Sequence, residues 1–135
     1  MHLERRDFMV KTGALAIAAI VPDNAFSQGK QPMYGLIGKM TAVAGKRDAL
    51  IAILVEGVAG MPGCLSYIIA KDPADENAIW ITEVWDSEQS HKASLSLPSV
   101  KEAIQKGRPL IAGFSDQTVT EPVGGHGLAT TAKAK

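Results

Sequence analysis

From Tyr34 to Ala42 the chain alternates, with Tyr34, Leu36, Gly38 and Met40 set against Gly35, Ile37, Lys39 and Thr41, the period-two signature of a strand. The period lengthens at Gly45-Lys46-Arg47-Asp48, where a helix opens and runs to about Ala59. Its apolar residues Leu50, Ile51, Ile53, Leu54, Val55 and Val58 cover more than one face, so it is expected to be covered on two sides. Gly60 to Gly63, with Pro62, ends it. Cys64 to Ala70 reads as a second strand with Leu65, Tyr67 and Ile69 on one face, and Asp72-Pro73-Ala74-Asp75-Glu76-Asn77 has the composition of a hairpin loop. The third strand, Ala78 to Trp85, sets Ile79, Ile81, Glu83 and Trp85 on one face and Trp80, Thr82 and Val84 on the other.

Asp86 is placed to cap a second helix, with Gln89 at the third helical position. Leu97-Pro98 breaks that helix and starts another, which turns Val100, Ala103 and Ile104 inward and ends near Gly107. Leu110 to Gly113 leads to a fourth strand, Phe114 to Glu121. Pro122 and the run Gly124-Gly125-His126-Gly127 begin a flexible tail. The order β-α-β-β-α-α-β predicts an α+β fold, a ferredoxin-like split β-α-β unit with its second helical connection broken in two. Helices on one face leave the other bare, with Ile, Leu and Tyr pointing outward, so a two-fold homodimer with facing sheets is expected.

The first residues carry a different message. Arg5-Arg6 precede Phe8, an apolar pair and Lys11; Ala14 to Val21 then runs without a charge. That run is far shorter than the ~20 residues needed to cross a bilayer, so it suits a signal h-region and not a stable membrane anchor. Small residues at Ala25 and Ser27 place cleavage before Gln28. The paired arginines resemble a twin-arginine (Tat) signal, which implies a Tat-exported, periplasmic protein. The expected organisation is a signal over 1–27, one domain over 28–123 and a tail over 124–135.

Fourteen basic and fourteen acidic residues balance. The signal carries Arg5, Arg6 and Lys11 against Glu4, Asp7 and Asp23, so its removal leaves the balance intact. A neutral chain without a basic patch has no electrostatic case for nucleic acid or an anionic membrane. The single cysteine, Cys64, excludes an intramolecular disulfide and reads as a small core residue. No Cys/His cluster has metal-ligand spacing.

Glu83 is the residue that fits least well with its surroundings. A carboxylate between Ile81 and Trp85 on one strand face is costly to bury without a partner. Either it pairs with a cation across the sheet or dimer, or it anchors a hydrogen bond inside a pocket. His91 lies one turn into the following helix, whose first turns cover the end of that strand. It is either a surface histidine or the proton acceptor of a site, for which imidazole is the best-suited side chain near neutral pH. His126 either folds over a neighbouring site or stands in solvent. Trp80, Trp85 and Tyr67 are core residues or the walls of a flat aromatic pocket.

Gly45-Lys46-Arg47-Asp48-Ala49-Leu50, Pro62-Gly63-Cys64-Leu65-Ser66-Tyr67, Glu83-Val84-Trp85-Asp86-Ser87 and Leu95-Ser96-Leu97-Pro98, in that order, resemble the antibiotic biosynthesis monooxygenase (ABM) domain over about residues 34 to 120. The resemblance implies a dimeric α+β barrel and oxygenation of a small phenolic or quinol substrate by dioxygen, without metal, flavin or haem. In that reading His91 is the base, Glu83 orients it or the substrate, and Trp85 and Tyr67 form walls and donate hydrogen bonds, with His126 a further substrate contact. The histidine many members carry late in that helix falls at Ser94 here, and His91 stands one turn earlier. Two alternatives remain open: a haem-degrading monooxygenase with His91 as axial ligand, and a non-catalytic periplasmic protein that binds quinone-type molecules or serves in stress.

Overall fold

The structure is a computed structural model and describes residues 31–129. The proposed signal, the cleavage point and residues 130–135 of the tail lie outside those residues. Strand β1 (Tyr34–Ala42) leads to helix α1 (Arg47–Gly57), strands β2 (Cys64–Lys71) and β3 (Ala78–Trp85), and helices α2 (Glu88–Ser94) and α3 (Pro98–Gly107). A short 3-10 turn (Arg108–Leu110) then gives way to strand β4 (Ile111–Thr120). The strands form one antiparallel sheet in the order β2-β3-β1-β4, the α+β ferredoxin-like arrangement expected from the sequence.

The helices cover one face. Leu50 of α1, wholly buried, meets Ala42, Ile79 and Ile81 in the core, with Met40, Leu54, Tyr67 and Ile69 packed around them. Burying a leucine side chain contributes roughly 2 kcal/mol, so this contact fixes α1 over the centre of the sheet. The helix begins without a side-chain cap. Its entry is held instead by Arg47, whose Nη1 donates to the carbonyls of Asp72, Asp75 and Ala78 at 3.2, 2.9 and 3.2 Å. That guanidinium ties the β2–β3 hairpin loop to α1. Of the residues expected to be covered on the second side, Val55 stays 55% exposed.

The cap of α2 and the start of β4 differ from the expectation. The capping residue of α2 is Ser87, not Asp86: Ser87 has an extended backbone and its hydroxyl accepts from the Ser90 N–H at 3.1 Å. Asp86 stands one residue too early, its own N–H donating to the Gly63 carbonyl. β4 also begins earlier, at Ile111, because Ala42 at the end of β1 still offers it a partner.

The pairing register shifts by one residue between Cys64 and Ser66, a bulge that the period-two reading of β2 did not foresee. Beyond it Tyr67 faces Glu83 and Ile69 faces Ile81, so both turn toward the helices. Tyr67 is therefore not one of the outward residues of the bare face. The opposite face presents Ile37 and Ile68, which are 36% and 55% exposed, beside Trp80, Thr82 and Val84. Trp80 is pinned there by a 2.9 Å hydrogen bond from Nε1 to Asp72 Oδ2.

A candidate active site between helices and sheet

The helices do not close on the sheet everywhere. A cavity of about 630 Å³ lies between them, floored by Met40, Tyr67, Glu83 and Phe114 and roofed by Leu54, Gly57, Val100, Ala103 and Ile104. The three residues of α3 expected to turn inward do so, but they roof this space and do not fill a core; Ile104 is 39% exposed. A smaller cavity of about 380 Å³ runs beside it over β1 and β4 and shares Met40, Tyr67, Glu83 and Phe114 with it. The lining is apolar apart from a few convergent polar groups, the usual character of a small-molecule site.

Apart from Arg108, those polar groups cluster at one end. Trp85 is almost wholly buried, and its Nε1 donates to Glu83 Oε1 at 2.8 Å. His91 Nε2 stands 3.8 Å from the same oxygen. Both groups address Oε1 and leave Oε2 for another partner. The His91 ring is held between two aromatic rings, 5.4 Å from that of Trp85 at 73° and 5.4 Å from that of Tyr34 at 38°. Below it, the buried Ser94 donates to the His91 carbonyl at 2.6 Å, which secures the backbone that carries the imidazole.

Electrostatics distinguish the members of the cluster. Burial pushes the Glu83 carboxyl above its ordinary value, opposed by the Trp85 hydrogen bond and then by His91. Burial, with the Glu83 charge and then Cys64 beside it, pushes the Tyr67 phenol well up. Cys64 is half-buried, and burial raises its thiol also, which makes it a poor nucleophile.

Four of the residues singled out in the sequence therefore line one cavity, Glu83, Trp85, Tyr67 and His91, whereas Trp80 stands on the opposite face of the sheet. His126 does not line it either; it is exposed on the tail segment, which returns to the sheet through Ala129, whose N–H donates to the Leu65 carbonyl at 3.0 Å. The sequence reading missed Tyr34, Ser94 and Arg108. Tyr34 escaped notice because its approach to His91 depends on the β1–β3 pairing, which sets it opposite Trp85. Among the described residues no three His, Cys, Asp or Glu side chains gather as a metal site.

The site is thus an apolar cavity between a ferredoxin-like sheet and its helices, with a carboxylate, an imidazole and an indole gathered at one end. The family model described as antibiotic biosynthesis monooxygenase matches residues 33–106, and the chain belongs to that family. A crystal structure from Chloroflexus aurantiacus J-10-fl, provisionally named an antibiotic biosynthesis monooxygenase, is 70% identical; the match covers 72% of this chain and 99% of that one, with a TM-score of 0.71. A provisionally named antibiotic biosynthesis monooxygenase from Caulobacter crescentus CB15 is 20% identical over 70% of this chain and 92% of its own, with a TM-score of 0.63. One from Nitrosomonas europaea is 12% identical over 70% and 93%, with the same TM-score, 0.63. The last two share the fold. No curated protein matches the chain.

Proposed function

We propose that this protein is a cofactor-independent monooxygenase that oxidises a small phenolic or quinol substrate with dioxygen. The observation that carries the reading is that His91 and Glu83 stand together at one end of an apolar cavity large enough for an aromatic ligand. Family membership supports it, as does the name of the 70% identical structure from Chloroflexus aurantiacus.

The chemistry starts with the substrate hydroxyl. His91 takes its proton, and the electron-rich phenolate that results reacts with dioxygen at a ring carbon. One oxygen atom remains there as a quinone carbonyl. The other leaves as water, taking up the hydrogen from that carbon and the one held by His91. Trp85 orients Glu83 through the 2.8 Å bond, and Glu83 holds a positive charge on His91 once the proton has moved. Tyr67 remains protonated and donates to a substrate oxygen. The apolar roof keeps water from the intermediate.

Oxygen-electrode screening of a panel of phenols and quinols with the purified mature protein tests the reading. Uptake with release of a hydroxylated or quinone product supports it. Tight binding of quinones with no oxygen uptake from any member overturns it in favour of a receptor, and a shifted Soret band on reconstitution with haemin, lost on adding a reductant in air, overturns it in favour of haem degradation.

Two companion readings concern assembly and location. The exposed Ile37 and Ile68 on the open sheet face support a homodimer with facing sheets; a monomer mass by light scattering at micromolar concentration contradicts it. Arg5 and Arg6 support Tat export to the periplasm; normal export after both are changed to lysine contradicts that.

A further inference from the structure

The cavity has a second charged end. Arg108 lines it beside Gly107 and Ile111, at the turn from α3 into β4. The strand register sets this end apart from the cluster: Ile111 pairs with Ala42, whereas Glu83 pairs with Leu36, six residues back along β1. At ~3.3 Å per residue the two levels lie roughly 20 Å apart along the strand, and the arginine side chain spans part of that length. Arg108 is exposed and also borders a neighbouring groove with Lys101. Among the described residues neither cation is paired with a carboxylate.

The cavity is therefore polarised, with a mostly buried carboxyl at one end and an exposed, unpaired guanidinium at the other. An anionic group is repelled from Glu83 and attracted to Arg108, whereas a neutral phenol is tolerated at either end. We propose that the ligand of this cavity is an aromatic acid, held by its carboxylate at Arg108 so that its far hydroxyl points toward His91. This rests on the cavity being the substrate site and adds the substrate's charge and direction. The guanidinium fork suits a carboxylate, and the repulsion at the other end excludes the reversed orientation.

The test uses 6-hydroxy-2-naphthoic acid and its carboxamide, followed by quenching of tryptophan fluorescence. The acid should bind the mature protein about tenfold more tightly than the amide, the scale of one charge-assisted hydrogen bond. Arg108→Gln should bring the acid down to the amide's affinity, and Arg108→Lys should keep most of the preference. Equal binding of acid and amide, binding of neither, or equal weakening of both by Arg108→Gln overturns the proposal. Oxygen uptake separates this proposal from the monooxygenase reading. If neutral quinols are oxidised and the acid shows no preference, only the Arg108 inference falls. If the acid is preferred and no phenol is oxidised, only the oxygenase reading falls.

Discussion

Gly57 sits where α1 crosses α3, and a methyl group added there would overlap the Cβ of Ala103. Helix propensity alone says that Gly57→Ala should stabilise α1 by about 1 kcal/mol. Packing opposes it. Two methyl carbons need roughly 3.5–4 Å, so α1 and α3 must separate, and overpacking of this kind costs about 1–3 kcal/mol. The steric cost wins by about 1 kcal/mol, which lowers Tm by roughly 4–8 °C in a domain of this size. Both residues roof the cavity, so the same change should widen it. The assay is thermal unfolding followed by circular dichroism, run as a cycle with Ala103→Gly. The double variant moves the methyl across the seam and should recover stability beyond the sum of the single effects by about 1 kcal/mol or more. A Gly57→Ala variant that melts higher than the wild type would refute the close helix crossing.

Glu83→Gln keeps an acceptor for Trp85 Nε1 but cannot ionise. Because burial raises the Glu83 carboxyl in the folded state, its contribution to stability is full below the unfolded carboxyl value and is lost as pH rises through the folded one. The glutamine variant should therefore melt above the wild type at about pH 8 and converge with it near about pH 4; a wild type that is the more stable at high pH contradicts the burial argument. Ser87→Ala removes the hydroxyl that accepts from Ser90 and should cost about 1 kcal/mol in urea unfolding, whereas Asp86→Asn should leave that cap intact.

Much of the fold was legible in the chain because β1 and β3 keep an unbroken alternation along their shared pairing. β3 is the clearest case: Ile79, Ile81, Glu83 and Trp85 fall on the helix side as the period requires. The alternation failed at Leu65, where an unpaired residue reverses the faces of β2, since a bulge leaves no mark in an apolar pattern. The cap of α2 was misplaced by one residue because Asp86 and Ser87 are both good capping types and only backbone geometry separates them. Of the site, Glu83 was visible as a charge on an apolar face and His91 as an imidazole one turn beyond. Arg108 was not visible: nothing local distinguishes an arginine at a helix end from one facing a cavity formed by elements distant in sequence.

The central claim is that His91 moves the substrate proton. Its most direct test compares oxygen uptake by the wild type and His91→Ala with a phenol that the wild type oxidises. Turnover should fall by roughly 100-fold or more, the usual worth of a positioned base, while the affinity for an unreactive quinone changes little. Wild-type turnover in His91→Ala would contradict the account.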